Sequence, residues 1–343
     1  MSRPRIGYYV HHVGAGHVVR AGQLSDALRT HLDAEVTGLS SLPRPASWGG
    51  GWLRLAADEE PSPSHGDVDA GGRLHWVPRH HPGLLARSAG LSRWLAETEP
   101  DLMVVDVSVE VTLLARLHGV PVVGVVVPGD RTDPAHVLGQ DVSAELVGFW
   151  PPGATTAVVR SPARDRIHAL GALSRWSAQS PQAVAAGATR HRSPRVAVLN
   201  GRGGPALDVA GLEAEAAAAG WEVDVLGGSH GWVDDPFRVL AAADAVVTQC
   251  GQNALADVAA SRTPAVVCPA QRPHDEQEMV AAALDAGPWP AVRRAADDTR
   301  PWLPLLQHAA TLDGAGWSTW CERTAADRFA SLVAGLVHGR RAA

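Results

Sequence analysis

Short, largely apolar runs recur along the chain, at residues 102–107, 120–127, 196–199, 245–248 and 265–268. A strand with one wet face alternates apolar and polar residues, so runs of this length read as strands buried on both faces. Residues 5–10 and Glu222–Leu226 add two less uniform strands. Between the runs lie stretches with helical spacing of apolar positions, opened by capping residues or Pro and closed by Gly. Strand and helix alternate from end to end, the pattern of parallel sheets built from strand-loop-helix units.

The most informative stretch is 244–284. Ala245–Thr248 predicts a strand, Gly251 a tight turn, and Asn253 the N-cap of a helix reaching about Ser261. A second strand follows at 265–268, a loop at 269–273, and a helix capped by Asp275 with Glu276 and Gln277 in its first turn. Both loops open at the carboxyl ends of parallel strands, where open α/β sheets bind ligands. Each helix N-terminus offers unbonded N–H groups and a positive dipole end to an anion such as phosphate. Asp257, one turn into its helix, has the position to accept both hydroxyls of a ribose, and Glu276 and Gln277 those of a sugar. Taken singly, each of these side chains also fits an ordinary cap or a solvated position.

At the other end, residues 5–10 run into His11-His12-Val13-Gly14-Ala15-Gly16-His17, with Arg20 one turn further on. The Gly-x-Gly pair suggests a dinucleotide site, but Val19 stands where the third glycine belongs and no acidic residue ends the second strand near 39–41. Nicotinamide cofactors are therefore set aside. His17 at the mouth of such a loop suits a general base, and equally a loop-shaping hydrogen bond. The crevice rule adds Asp106, Glu110, Arg131, Asp133 and His136, at or beyond strand carboxyl ends, which are expected to face the cleft between the domains on the acceptor side. Half of these fit caps and salt bridges; Arg131 and His136 are the preferred acceptor-side candidates, with His12 and Arg20 beside them. Residues 43–72 read as a Pro/Gly/Ser-rich loop, and its Asp67-x-Asp69 as turn residues. His75, His80 and His81 read as a cleft wall. A second glycine-rich loop, Asn200 to Gly204, leads through Pro205 into a helix ending at Gly220.

Gly251, Gln252, Asn253 and Asp257, the Glu276-Gln277 pair, and Gly14, Gly16, His17 and Arg20 together resemble GT-B nucleotide-sugar glycosyltransferases of the family 28, MurG-like type. The likeness covers most of the chain. It implies that the loop and helix at Gly251 hold a diphosphate, that Asp257 holds the ribose, and that Glu276 and Gln277 read the donor sugar. It also implies that the backbone at Trp232 and Val233 reads the nucleobase. Gly16, with Gly201, Arg202 and Gly203, would complete the diphosphate cradle. Asp257 is shorter than the family's usual Glu and Glu276 replaces an amide, which bears on the donor's identity more than on the fold.

Composition narrows the chemistry. With 343 residues, 45% hydrophobic and 19% charged, the chain has the length for two globular domains. A net charge of −6 argues against nucleic acid as a partner. The chain contains no lysine, which excludes Schiff-base and Walker-lysine chemistry. Its three cysteines show no CxxC spacing and indicate neither a zinc site nor a disulfide framework. No signal peptide or membrane-length apolar run is read, so a cytoplasmic location is expected, with peripheral membrane contact left open.

The expectation is two Rossmann-like α/β domains facing across a cleft: 1–170 for the acceptor, 171–193 a linker, and 194–315 for the nucleotide sugar. A C-terminal helix, 316–343, packs back on the first domain. The resemblance implies metal-independent, inverting transfer of a sugar, from UDP as carrier and for instance an N-acetylhexosamine, to an acceptor hydroxyl, with no cofactor. His17 is the first choice of base and Asp106 or Asp133 the alternatives. A UDP-N-acetylglucosamine 2-epimerase-like enzyme and a non-catalytic nucleotide- or glycan-binding protein remain as other readings.

Overall fold

The computed structural model describes residues 3–58, 66–181, 193–201, 207, 209–231 and 233–342. Strands and helices alternate through two units. One comprises 1–148, 160–170 and 326–343; the other comprises 149–159 and 171–325.

The first unit carries seven parallel strands: β1 (Arg5–Tyr9), β2 (Glu35–Ser40), β3 (Gly51–Arg54), β4 (Leu102–Asp106), β5 (Val122–Val126), β6 (Glu145–Gly148) and β7 (Ile167–Ala169). Their order is β3-β2-β1-β4-β5-β6-β7, which reverses direction between β1 and β4. Helices α1 (Ala15–Leu32), α2 (Pro82–Thr98), α3 (Val109–Leu117) and α4 (Pro134–Val142) connect strands of this sheet. All five residues of β4 are buried: the first four are apolar, as a strand covered on both faces requires, and the fifth is Asp106. Each of its sealed Val and Leu side chains contributes about 1.5–3 kcal/mol. Tyr9, Leu39, Met103 and Val105 form one core with Leu91 and Leu95 of α2.

Five parallel strands build the second unit: β8 (Arg195–Leu199), β9 (Glu222–Leu226), β10 (Ala245–Thr248), β11 (Ala265–Val267) and β12 (Ala291–Arg293). They are ordered β9-β8-β10-β11-β12, so here the direction reverses between β8 and β10. Among the described residues its longer helices are α5 (Ala210–Ala218), α6 (Phe237–Ala242), α7 (Gln252–Ser261), α8 (Glu276–Ala286) and α9 (Trp302–Ala310), besides a single turn at Thr155–Val158. The last helix, α10 (Ala325–Ala342), is counted with the first unit. Among the described residues no helix is long and apolar enough to cross a membrane.

Several boundaries differ from the sequence reading. The stretch 43–72 is not all loop: β3 pairs in parallel with β2 at the sheet edge. Edge strands of four residues leave too short a pattern to recognise among Pro, Gly and Ser. Helix α7 begins one residue before Asn253, with Gly251 at the N-cap and no side-chain cap. Gly251 itself has φ −67°, so its turn does not draw on glycine's freedom. Asp275 does occupy the N-cap of α8, but with φ 55° and no capping bond from its carboxylate. The terminal helix starts nine residues later than residue 316, after a 3-10 turn at Gly314–Thr319 in which Asp313 accepts from Ala315 N at 2.9 Å. Pro205 lies outside the described residues.

Candidate active site

Ligand crevices form where a parallel sheet reverses strand order, because the loops on either side part there. In the first unit that point lies between β1 and β4. Gly14, with φ 98°, takes the N-cap of α1 in a conformation that other residues rarely adopt. The helix then places His17 and Arg20 on one face, three residues apart. Asp106 ends β4 with no exposed surface. Its Oδ2 lies 3.0 Å from His17 Nδ1. Arg20 clamps the same carboxylate with two bonds, Nη2 to Oδ1 at 2.9 Å and Nε to Oδ2 at 3.2 Å.

Burial alone would raise the Asp106 pKa, but the charges of Arg20 and His17 and their hydrogen bonds outweigh it and hold it well below the usual carboxylate range. Arg20 Nη2 also approaches His17 Nδ1 to 3.1 Å. The anionic carboxylate is the stronger acceptor, so we assign the imidazole proton to Nδ1, donating to Asp106. Nε2 is then left with its lone pair. Arg20, expected on the acceptor side, is only 4% exposed and belongs to the Asp106 clamp.

The same β1–α1 loop supplies His11 and His12, whose rings stack at 4.9 Å, while the rings of His11 and His17 are 5.3 Å apart. Burial, then the neighbouring His17 and His12, pushes the His11 pKa down to about 4, so His11 is neutral near pH 7. Behind them Arg87 of α2 donates to Asp58 at 3.0 Å, to Tyr9 Oη at 2.6 Å and to Ala56 O at 2.9 Å. These residues border a cavity of about 500 Å³ walled by Leu74, Trp76, Val77, Leu84, Leu114 and Leu117. Glu110 lines it as well.

Asp133 caps α4, accepting from His136 N at 3.1 Å, and also lies 2.5 Å from His136 Nδ1. Burial would raise its pKa, yet the bonds to His136 hold it well below the usual value. His75 Nε2 approaches the same carboxylate at 3.3 Å. Two imidazoles and a carboxylate so close can ligate a metal. Against that, Arg131 Nη1 donates to His136 Nε2 at 3.1 Å, which leaves the ring's proton on Nδ1, pointing at Asp133. Burial, ahead of the neighbouring charges, holds the His136 pKa at about 4. Arg131 donates to Val127 O and Pro128 O and is 4% exposed. Arg131, Asp133 and His136 thus brace a loop, the cap-and-bridge role that any of them could fill. His81 caps α2 through Leu84 N at 3.1 Å. Asp67 accepts from Gly71 N and Arg79, as a turn residue does.

In the second unit the reversal lies between β8 and β10, which places the loops after Leu199 and Thr248 side by side. Gly227, with φ 79°, lets the next loop approach so closely that a Cβ there would lie 2.7 Å from Asn200 O. Gly201 is exposed; Arg202, Gly203 and Trp232 lie outside the described residues, and Val233 is half-buried. Gln252 and Asn253 are half-buried in the first turn of α7, and no side chain caps that terminus.

Glu276 and Gln277 differ sharply. Gln277 is buried, and its Oε1 accepts from Cys250 N at 3.2 Å and Ala270 N at 2.9 Å, so one amide ties the loop after β10 to the loop after β11. Glu276 is half-buried and makes no side-chain hydrogen bond among the described residues. Asp257 faces inward rather than toward a ligand: it is 7% exposed, accepting from Ser174 Oγ at 2.8 Å and Arg175 Nε at 3.4 Å. Burial raises its pKa to about 6 despite these partners. Sequence reasoning did not find Ser174, Arg87 or Asp58, which no local motif marks.

Comparison of the sequence with protein-family models and with curated proteins finds no match. Solved structures do match. The glycotransferase of kitacinnamycin superposes with a TM-score of 0.70 at 16% identity, over 98% of this chain and all of the other. A UDP-glucosyltransferase from Polygonum tinctorium, capable of glucosylating indoxyl and solved with 3,4-dichloroaniline, gives 0.66 at 14%, over 98% and 99%. MurG of Acinetobacter baumannii gives 0.65 at 14%, over 97% and 100%. The fold is therefore that of GT-B glycosyltransferases, two Rossmann-like units along the whole chain.

Proposed function

We propose that this protein is a glycosyltransferase that moves a sugar from a nucleoside diphosphate to an acceptor hydroxyl with inversion. The observation that carries this reading is the His17–Asp106 pair at the strand reversal of the first sheet. An imidazole whose Nδ1 proton is held by a buried carboxylate can present its Nε2 lone pair as a general base. His17 Nε2 takes the proton of the acceptor hydroxyl as that oxygen bonds to the anomeric carbon. The bond from that carbon to the diphosphate oxygen breaks, and its electron pair leaves with the diphosphate. Asp106 stabilises the imidazolium that forms, and Arg20 holds the carboxylate in place.

The departing charge needs stabilisation. In this reading the uncapped N-terminus of α7 receives the diphosphate, and no divalent cation is required. Glu276, the member of its pair with no internal bond, receives donor hydroxyls, while Gln277 positions the two loops. Asp257 is committed internally and is dropped as a ribose ligand. UDP is retained as the carrier on the resemblance of the sequence. The test is nucleoside diphosphate release from UDP- and TDP-hexoses with a panel of hydroxylated acceptors, with and without EDTA. Product formation that survives EDTA and is lost in His17→Ala supports the proposal. A donor consumed without an acceptor and returned as an epimer would favour the epimerase reading instead.

A further inference from the structure

The cavity of the first unit has a charge that the transfer chemistry does not use. Its walls are mostly Leu, Val and Trp, and its rim carries two of the chain's exposed large apolar side chains, Val13 at 60% and Leu117 at 83% exposure. Apolar surface at the mouth of an apolar cavity marks a binding site for an apolar body. Among the described residues, three formal charges line it. Arg87 and Asp58 neutralise each other at 3.0 Å, both nearly sealed from solvent. Glu110 is left over. Its carboxylate is fixed by His75 N at 2.7 Å, Trp76 N at 3.1 Å and Ser108 Oγ at 3.0 Å, all uncharged donors. Among the described residues no cationic side chain lies within 4.0 Å of it. His11, which also lines the cavity, is neutral near pH 7. The cavity therefore combines an apolar lining with one uncompensated negative charge, held rigidly by backbone.

We propose that this cavity takes the apolar body of an acceptor bearing no negative charge, and that Glu110 excludes anionic acceptors, those linked through a carboxylate or a phosphate among them. The inference rests on the glycosyltransferase reading only in calling the ligand an acceptor; the cavity's selectivity stands on its own lining. Rejection works by repulsion. An anion entering the cavity loses its water and meets a carboxylate whose charge a neutral isostere does not feel.

The test is a matched pair of probes, methyl 6-hydroxy-2-naphthoate and 6-hydroxy-2-naphthoate, titrated into the full-length protein by calorimetry. The neutral ester is expected to bind at least about tenfold more tightly than the carboxylate. Glu110→Gln keeps a carbonyl oxygen for the two backbone donors and removes the charge, so the gap should shrink to about threefold or less. Leu117→Arg, at an exposed position in the last turn of α3, adds a cation to the rim and should raise the affinity of the carboxylate alone. Equal binding of the two probes, an undiminished gap in Glu110→Gln, or no binding of either would overturn the proposal. Selective binding of the ester with no turnover of any UDP- or TDP-hexose would uphold the cavity and defeat the transferase reading, so the two fail separately.

Discussion

The Oδ2 of Asp106 lies 3.0 Å from Nδ1 of His17, and the carboxylate is sealed from solvent behind the imidazole. The two residues are 89 positions apart, and they meet because β1 and β4 are neighbours in the sheet. A carboxylate held there does two things: it fixes the tautomer, and it lowers the energy of the imidazolium once the proton has moved.

Asp106→Asn separates these roles from simple presence. An amide can still sit beside Nδ1, but it neither requires the proton there nor balances the imidazolium. Turnover is expected to fall by about 10³- to 10⁴-fold, as in other buried His–Asp pairs. The same change leaves Arg20 buried without its counter-charge, which costs about 3–5 kcal/mol. Steady-state kinetics beside urea unfolding of the folded variant distinguishes the losses. An unchanged kcat would remove Asp106 from the mechanism.

His17→Ala should act on chemistry alone. The side chain is partly exposed on the first turn of α1, and alanine suits a helix. Transfer to a hydroxyl acceptor is expected to fall by about 10²- to 10⁴-fold, the range of general-base contributions. The Kd for UDP, measured by calorimetry, should be unaltered, because the nucleotide is assigned to the second unit. A weakened Kd with intact kcat would reverse the assignment.

Gln277→Ala tests the opposite kind of residue. The buried amide oxygen satisfies Cys250 N and Ala270 N, and its removal leaves both without that acceptor. A loss of about 1–3 kcal/mol in unfolding free energy is expected for each donor that water cannot reach. Gln277→Glu retains the acceptor and should recover most of that stability while weakening UDP binding, since it brings a negative charge to the loop beside α7. Stability unaffected in Gln277→Ala would mean that the two loops hold their shape without the tie.

What the sequence made legible was local. The two parallel sheets follow from short, largely apolar runs, and the His17 loop from its glycines. Asp106 was legible as an acid near a strand end and as an alternative base, but not as the partner of His17, because that partnership depends on strand order, which no pattern in a strand reports. Asp257 shows the limit most clearly. Its place one turn into a helix after a glycine loop is readable, but Ser174 approaches from 83 residues away and takes the carboxylate inward. Of the cavity, only scattered members such as His12 and Glu110 were legible, since five separate segments line it. Gln277 was read as a ligand contact for the same reason: the backbone groups it serves lie on two other loops.

Asp257 gives a pH signature with a definite sign. Its pKa is raised in the fold to about 6, chiefly by burial, from the ordinary aspartate value of about 3.9. A raised pKa means that folding favours the protonated form, so its contribution is fully present below about pH 4 and is lost as pH climbs toward 6 and beyond. Asp257→Asn keeps the size and an acceptor for Ser174 but cannot ionise. The difference in unfolding free energy between variant and wild type should therefore move in the variant's favour by about 2 kcal/mol from pH 4 to pH 7, most of it between the two pKa values. Urea titrations at matched ionic strength across that range measure it. A difference that stays flat would show that Arg175 and Ser174 fully compensate the buried charge, and a difference of opposite slope would show that they overcompensate it.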